Sequence, residues 1–392
     1  MPPAATTADI EALEALAQRL MGAFTRAGYE RIVPAVIQPA GLFLDVIGES
    51  LRARTYVFTD PDGAELCLRP DLTVPTCRLH LDRYPAGNVP ARYCYSGSAF
   101  RYQPAGADRA HPREFRQAGI ESFAAADREQ DDAAVLGLIV GALHEAGLDG
   151  LKLRIGDLGL FTALINALAM PERWRWRLKH QFWRPEAFRA ELARLTSGAA
   201  RATGMPREFI DRLDPADPGG AEVLVMEHLD KSGHELIGAR TAAEIAQRLI
   251  AGAADMHEKP LPAETAALIE SYVAVKAPAG SAVERLSRLA RGHGVDLSAG
   301  LDAFQRRLDL IDKAGVAIAG AEFSAEFGRN LEYYTGFVFE VIAPALGPKS
   351  PVAGGGRYDG LLAEVGAPGH VPAVGASIHT ERLLAALQGA AP

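Results

Sequence analysis

Four short segments of the chain place charged and hydrogen-bonding side chains beside apolar runs that are typical of buried strands. In the first, Arg69 and Asp71 flank Pro70 at the end of such a run, and Thr73 follows two residues later. A carboxylate in this position could hold a cationic group of a ligand. A turn with a local ion pair accounts for the same residues without any ligand.

The second segment runs from Phe100-Arg101-Tyr102-Gln103 through a loop to residues 114–121. Gln117 and Glu121 share one face of a strand because side chains alternate with a period of two. Arg fits a carboxylate or phosphate with two parallel hydrogen bonds, whereas Gln and Glu suit an amine or an imidazole. We therefore expect Arg101 to face Gln117 and Glu121 across a cleft. A cross-strand ion pair on an open sheet face is the alternative.

The third and fourth segments lie late in the chain and are rich in tyrosine and glycine. Arg329 precedes the paired Tyr333 and Tyr334, whose rings and hydroxyls suit a flat polar ligand. The glycines of residues 354–356, just before Tyr358, allow backbone to approach backbone or ligand closely. Three glycines alone, however, usually mark a turn.

Helices and strands must position these four segments. Apolar residues at helical spacing predict one helix from Thr7 to about Ala27 and another over residues 131–146. Apolar and alternating runs predict strands, and these cover residues 89–102, 115–123, 335–342 and 373–378. Helical periodicity dominates between residues 161 and 315. This order predicts an α+β protein in which a helical insertion interrupts an antiparallel sheet.

Composition limits the class of protein. The 392 residues are 48% hydrophobic, which is enough for a sizeable core, and 49 acidic against 41 basic residues give a net charge of −8. That balance argues against a surface that binds nucleic acid throughout. Three cysteines without metal-like spacing predict a reducing, cytoplasmic location and no metal or cofactor. The most apolar stretch, residues 133–143, is too short to span a membrane.

In this order the four segments resemble the catalytic core of histidyl-tRNA synthetase, a class II aminoacyl-tRNA synthetase. Residues 100–103 and 114–121 resemble its motif 2, residues 329–340 its histidine-reading signature, and residues 355–384 the approach to motif 3. The resemblance covers about residues 5–165 and 315–392.

The resemblance implies a six- or seven-stranded antiparallel sheet flanked by helices. Residues 1–165 and 315–392 would form this synthetase-like core, and residues 166–314 a mainly helical insertion. The family also implies a self-dimer through the motif 1 region, near residues 28–48.

The resemblance also implies a histidine pocket. Asp71 and Thr73 would bind the α-amino group, and Gln117 and Glu121 would complete the amino and ring contacts. Arg101 would meet the carboxylate side of the site, and Arg329 corresponds to the catalytic arginine of the synthetase. Tyr334 would contact the imidazole of histidine. Tyr333 and Tyr358 would form the walls of the pocket.

Four departures from the synthetase pattern stand out, and the last three concern ATP and tRNA. Asp71 replaces a glutamate and is shorter by one bond, about 1.5 Å. Gln103 replaces the charged glutamate of motif 2, and His379 replaces a motif 3 glycine that makes room for adenosine. Ten residues follow Arg382, so we expect no anticodon-binding domain.

A histidine pocket with a damaged ATP site resembles a different family, the regulatory subunits of ATP phosphoribosyltransferase. That family acts in the first step of L-histidine biosynthesis. The resemblance implies a hetero-oligomer with the short-form catalytic subunit, which needs its partner for activity and is regulated by L-histidine. It also implies that this chain is not catalytic. The alternative is a ligase that adenylates histidine, such as a truncated synthetase or a small-molecule aminoacyl ligase.

A basic and aromatic stretch, residues 173–184, has a composition that can stack bases and pair with phosphates. A helix with packed tryptophans covered by arginine stems explains it equally simply. The acidic net charge and the lack of a second basic cluster argue against nucleic acid binding.

Overall fold

A computed structural model describes residues 6–44, 49–104, 106, 111–198, 207–210, 212–214, 217–232, 241–256, 258–328 and 332–389. The chain forms two compact units. Unit 1 comprises Met1–Leu164 and Tyr272–Pro392, and unit 2 comprises Ile165–Ser271. Unit 2 is therefore shorter than the expected insertion of residues 166–314, because residues 272–314 pack with the sheet of unit 1.

The strands follow one another along the chain as β1 (Glu30–Arg31), β2 (Ile37–Pro39), β3 (Tyr56–Thr59), β4 (Glu65–Leu68), β5 (Ala91–Phe100), β6 (Glu114–Phe123), β7 (Lys152–Asp157), β8 (Lys276–Pro278), β9 (Glu322–Ser324), β10 (Phe337–Ile342), β11 (Ala353–Arg357) and β12 (Ala373–His379).

The helices, also in chain order, are α1 (Thr7–Arg26), α2 (Ala40–Leu44), α3 (Glu49–Arg52), α4 (Thr73–Arg83), α5 (Arg128–Glu145), α6 (Leu158–Ala167), α7 (Glu172–Gln181), α8 (Pro185–Ser197), α9 (Arg207–Ile210), α10 (Pro218–Ser232), α11 (Ala242–Met256), α12 (Ala263–Val273), α13 (Ala279–Gly292), α14 (Ser298–Lys313), α15 (Leu361–Val365) and α16 (Thr380–Leu387). Within the part of the chain that the structure describes, no helix is both long and apolar enough to cross a membrane.

The main sheet of unit 1 has the strand order β1-β5-β6-β12-β11-β10-β7-β9-β8. Its strands pair antiparallel except for β1 with β5 and β7 with β9. The α+β class and the mostly antiparallel sheet agree with the prediction. The nine strands exceed the six or seven that the resemblance implies, because short strands such as β1, β8 and β9 extend the edges.

Local sequence explains the helices that cover the sheet. Thr6 and Asp9 form a capping box at the start of α1, and Leu13, Leu20 and Phe24 are buried along one side of it. Asp127 caps α5 by accepting a hydrogen bond from the backbone N–H of Gln130. Helix α5 packs against β12, α1 and α14, so one face of the sheet is closed by a helical layer.

Strand β6 separates two environments. It pairs with β5 and β12 on its two edges, and nearly all of its residues are buried. The Ser122 hydroxyl donates to Asp131 of α5, so even-numbered residues near the end of β6 face the helical layer. Odd-numbered residues, Gln117 and Glu121 among them, lie on the opposite face. The sequence prediction for these two side chains agrees with this arrangement.

A smaller sheet with the order β2-β4-β3 lies between β1 and β5 along the chain. Several of its apolar side chains are exposed: Ile37 by 52%, Val57 by 44% and Phe58 by 38%. Val33, just before β2, is 79% exposed. These residues lie in or next to the expected dimer region of residues 28–48, of which residues 45–48 are outside the described residues.

The basic stretch of residues 173–184 lies in unit 2, mostly on α7. Arg173 and Arg177 pair with the buried Asp255, and the indole N–H of Trp174 donates to the same carboxylate. Trp176 is 61% exposed and stacks on the ring of His180. Packing therefore accounts for Trp174 and both arginines, while Trp176 remains on the surface.

Candidate functional site

Glu121 is the centre of a buried polar cluster on the open face of β6. Its side chain is fully buried. Thr73 and Tyr95 each donate a hydroxyl hydrogen bond of 2.8 Å to Oε1, and Tyr358 donates to Oε2. Residues from β5, from helix α4 and from the segment after β11 thus converge on one carboxylate of β6.

No cation neutralises Glu121 among the ion pairs of the described residues; its partners are uncharged hydroxyls. Burial raises the pKa of Glu121 to about 7, and the hydrogen bonds from Tyr358, Thr73 and Tyr95 oppose that rise only in part. A carboxylate held in this way is suited to accept a hydrogen bond from a ligand that carries a positive charge or a polar N–H group.

Asp71 precedes α4 and is only 3% exposed. Its Oδ1 accepts a hydrogen bond from the backbone N–H of Val74 at 3.2 Å. This satisfies one of the N–H groups that have no partner within the first turn of the helix. Its Oδ2 has no hydrogen-bond partner in the described part of the chain. Burial raises the pKa of Asp71, and the charge of Arg101 opposes that rise. The carboxylate therefore has one oxygen left for a donor.

The ion pair suggested for the first segment does not form. Arg69 donates to the backbone carbonyls of Pro34 and Ser98 instead. Arg101 donates to the carbonyl of Pro70 at 2.8 Å, and its guanidinium lies 5.0 Å from the ring centre of Phe115. The register places Phe100 opposite Glu114, at the start of β6, and Phe115 lies on the same face of β6 as Gln117 and Glu121. That Arg101 faces Gln117 and Glu121 across a cleft stays a prediction.

Gln117 provides a second unsatisfied acceptor. Its Nε2 donates to the Ser377 hydroxyl of β12 at 3.3 Å. Its Oε1 is buried and has no partner among the residues described. Buried side-chain acceptors in folded proteins are nearly always hydrogen-bonded. Asp71 Oδ2 and Gln117 Oε1 are thus two buried acceptors that a ligand or water could satisfy.

Three tyrosine rings pack on one another beside Glu121. The ring centres of Tyr333 and Tyr334 are 4.9 Å apart, and Tyr358 lies 5.7 and 6.3 Å from them. All three side chains are buried. The predicted partner Arg329 lies outside the described residues.

Glycines allow the strands to approach this cluster. A Cβ on Gly119 would lie 2.6 Å from the Tyr95 hydroxyl. A Cβ on Gly375, which pairs with Glu121 across the sheet, would collide with the Glu121 carboxylate. At Gly119 and Gly375, therefore, the strands leave space for the side chains of Tyr95 and Glu121.

The positions that depart from the synthetase pattern are occupied by other contacts. Gln103 Oε1 accepts from Arg54 at 2.5 Å, and its amide donates to the carbonyl of Pro112. The ring of His379 stacks on Phe115 at 4.8 Å. Arg382 donates to the carbonyl of Pro351 at 3.0 Å.

Sequence reasoning missed Tyr95, which contacts Glu121 directly, and Ser377, which holds Gln117. Tyr95 lies in an apolar strand where a tyrosine has the pattern of an ordinary core residue. Its only signal is the register that sets it opposite Gly119, and register between strands is not visible in one sequence.

Comparisons with known proteins identify the family. The histidyl-tRNA synthetase family profile matches residues 5–224 and 224–383. The ATP phosphoribosyltransferase regulatory subunit of Brucella anthropi is 36% identical over 89% of this chain and 90% of its own length. The protein of the same name from Rhizobium johnstonii is 36% identical over 94% of this chain and 96% of its own.

Solved structures show the same fold at lower identity. The regulatory subunit/histidyl-tRNA synthetase of Bacillus halodurans superimposes with a TM-score of 0.67 at 19% identity, covering 98% of this chain and 81% of its own. A histidine–tRNA ligase subunit of Alicyclobacillus acidocaldarius has a TM-score of 0.58 at 24% identity, over 98% of this chain and 95% of its own. The chain belongs to the histidyl-tRNA synthetase-like family and, within it, to the ATP phosphoribosyltransferase regulatory subunits.

Proposed function

We propose that this chain assembles with a short-form catalytic subunit of ATP phosphoribosyltransferase, activates it, and makes it responsive to L-histidine. The observation that carries the proposal is the match, over about nine-tenths of both chains, to proteins named as regulatory subunits of that enzyme. The chemistry of phosphoribosyl transfer would take place on the partner, in the first step of histidine biosynthesis.

The buried cluster supports L-histidine as the effector. The Glu121 carboxylate would accept an imidazole N–H, while the tyrosine rings flank the ligand ring. The ligand ammonium would donate to Asp71 Oδ2 and Gln117 Oε1, the two acceptors that the described residues leave unsatisfied. Arg101, and Arg329 as the resemblance implies, would lie toward the ligand carboxylate. Thr73 would act by fixing Glu121.

A regulatory rather than catalytic role is supported by the positions near motif 2 and motif 3. Gln103 is tied to Arg54, and His379 covers a face of Phe115, so both crowd the region that would hold a nucleotide in the synthetase. A pocket that binds without reacting acts through different affinities in two assembly states. A coupling of about 1–3 kcal/mol is enough for feedback.

A self-dimer is supported by the exposed apolar side chains of the β2-β4-β3 sheet, Ile37, Val57 and Phe58, together with Val33. Such a patch on a soluble protein commonly forms an interface. A reducing, cytoplasmic setting is supported by Cys67, Cys77 and Cys94, which are buried as free thiols.

The test is a reconstitution assay. Purified chain is added to a short-form catalytic subunit, and the formation of phosphoribosyl-ATP is followed with and without L-histidine. We expect this chain to raise the rate and histidine to lower it again. No complex and no change in rate, together with histidine-dependent ATP–pyrophosphate exchange by this chain alone, would favour the ligase alternative.

The Glu121→Gln variant separates regulation from assembly in the same assay. The substitution keeps the size of the side chain and removes the charge that would hold the imidazole. We expect the ratio of rates with and without histidine to approach one, since a hydrogen bond to a charged group contributes about 1.5–3 kcal/mol. The matched control is Glu364→Gln, a partly buried glutamate on α15 that makes no contact with the cluster among the described residues. Unchanged inhibition in Glu121→Gln would place the histidine site elsewhere.

A further inference from the structure

A cavity of about 500 Å³ lies in unit 1 on the face of the sheet opposite Glu121. Its lining includes Pro90 and Arg92 at the start of β5, Phe123 at the end of β6, and Asp131 on α5. This volume is in the range of small-molecule sites in proteins. None of these residues takes part in the histidine pocket.

Asp131 is the buried polar group of this cavity, with 3% of its surface exposed. Its Oδ1 accepts the Ser122 hydroxyl at 2.9 Å. Its Oδ2 is buried and has no hydrogen-bond partner within the described residues. An unpaired buried carboxylate oxygen is destabilising, so a donor that reached it would be bound favourably.

Arg92 supplies the opposite charge on the same wall. It is exposed and pairs in register with Ser122, so the two side chains lie on the same face of the sheet, about 5 Å apart at Cβ. Its guanidinium is 5.9 Å from the ring centre of Tyr29. It forms no ion pair with any acidic group that the structure describes.

The second carboxylate of the cavity, Asp127, is already used. It caps α5 through Gln130 and pairs with Arg306. The cavity therefore presents one unsatisfied anionic oxygen in its buried part and one exposed cation, while Pro90 and Ala126 provide apolar surface.

We propose that this cavity is a second ligand site, for a small zwitterion of the amino-acid class. The ligand ammonium donates to Asp131 Oδ2, its carboxylate lies toward Arg92, and its side chain packs on the apolar wall. A simple amine is disfavoured because Arg92 would repel it, and a simple anion because Asp131 would. The site is independent of the histidine pocket, since Ser122 and Glu121 point to opposite sides of β6.

The test is calorimetric titration of the full chain with each standard L-amino acid in turn. Histidine is tested on Glu121→Gln protein, so that the first pocket does not contribute. We expect at least one amino acid to bind with a stoichiometry of one, and the alkylamine that lacks its carboxylate to bind more weakly. Because each end of the ligand meets a charged partner, Asp131→Asn and Arg92→Gln should each weaken binding by about tenfold or more.

The matched control is Asp127→Asn, which lines the same cavity and keeps a capping side chain. It should leave the affinity unchanged. Arg92→Gln alters an exposed residue, so its effect does not depend on the folding of a core variant. Binding by no amino acid, or binding that Asp131→Asn and Arg92→Gln leave intact, would overturn the proposal. Binding that survives in Glu121→Gln protein and is lost when Asp131→Asn is added would support this site even if the histidine pocket proved to be wrong.

Discussion

Two clusters of buried charge in unit 1 differ in how they are neutralised. Around Asp132, Arg357 donates to Oδ1 at 2.8 Å and Arg307 donates to Oδ2 at 2.7 Å, while Arg307 also reaches Asp157 at 2.7 Å. Around Glu121 all three donors are neutral hydroxyls. In the first cluster, arginines of the chain neutralise the carboxylates. Near the second, Asp71 Oδ2 has no hydrogen-bond partner among the described residues.

The difference separates structure from binding. Burial alone would lower the pKa of Arg357, but Asp132 and Asp359 raise it above its ordinary value, so the network remains charged and joins α5, α14 and β11. Burial raises the pKa of both carboxylates, but at Asp132 the charges of Arg307 and Arg357 oppose the rise, whereas at Glu121 neutral hydroxyls oppose it. Charges that are paired hold the sheet to its helices, whereas the unpaired carboxylate and its neighbours can accept a donor from outside the chain.

The largest expected effect would test the paired cluster. In Arg357→Met, Asp132 loses one of its two buried partners, and breaking a buried pair costs about 3–5 kcal/mol. We expect the free energy of unfolding, measured by urea denaturation, to fall by that order. Arg288→Met removes an exposed pair on α13 and should change it little. Equal effects in the two variants would show that the network does not stabilise the fold.

A smaller effect would test the unpaired cluster through pH. The pKa of Glu121 is about 7 in the folded chain, above the ordinary value near 4.3 for an unfolded chain. Between these values the folded state holds the extra proton, so the wild type loses stability as pH rises. The slope relative to Glu121→Gln is about 1.4 kcal/mol per pH unit at most.

Urea unfolding of both proteins across this pH window measures that slope, and the difference between them removes contributions common to both. A difference that stays flat would mean that Glu121 keeps an ordinary pKa in the folded chain, and the contrast between the two clusters would be lost.

The smallest effect would sharpen the roles within the histidine pocket. Asp71→Asn keeps an oxygen for the N–H of Val74 and removes the charge opposite the ligand ammonium. We expect the affinity for L-histidine, measured by calorimetry, to fall by about tenfold. Asp60→Asn, in the β3–β4 turn, accepts similar backbone hydrogen bonds far from Glu121 and serves as the control. An unchanged affinity in Asp71→Asn would remove Asp71 from the site.

The sequence predicted much of what depends on local periodicity. Helices α1 and α5 begin and end close to where their apolar spacing and glycines indicate, and the alternation in β6 correctly placed Gln117 and Glu121 on one face. The motif resemblance predicted the fold class and the family. These features depend on neighbours in the chain, and one sequence contains them.

Features that depend on distant segments were not predictable in this way. The partners of Asp132 lie 175 and 225 residues further along the chain, and no spacing rule connects them. The position of Arg101 and the role of Tyr95 depend on the register between β5 and β6. Residues 272–314 pack in unit 1 because β8 pairs with the sheet and α14 packs on α5. The helical periodicity of that region does not indicate either contact.

Gly119 and Gly375 determine where new specificities could arise in this pocket. Because neither position has room for a Cβ, a mutational library that varies the strand floor would mostly yield misfolded chains. Diversity introduced at Asp71, Thr73 and the tyrosines would instead alter the ligand while the backbone floor stays constant. In the proposed pocket, one wall could therefore change its side chains while the glycine positions are inherited unchanged.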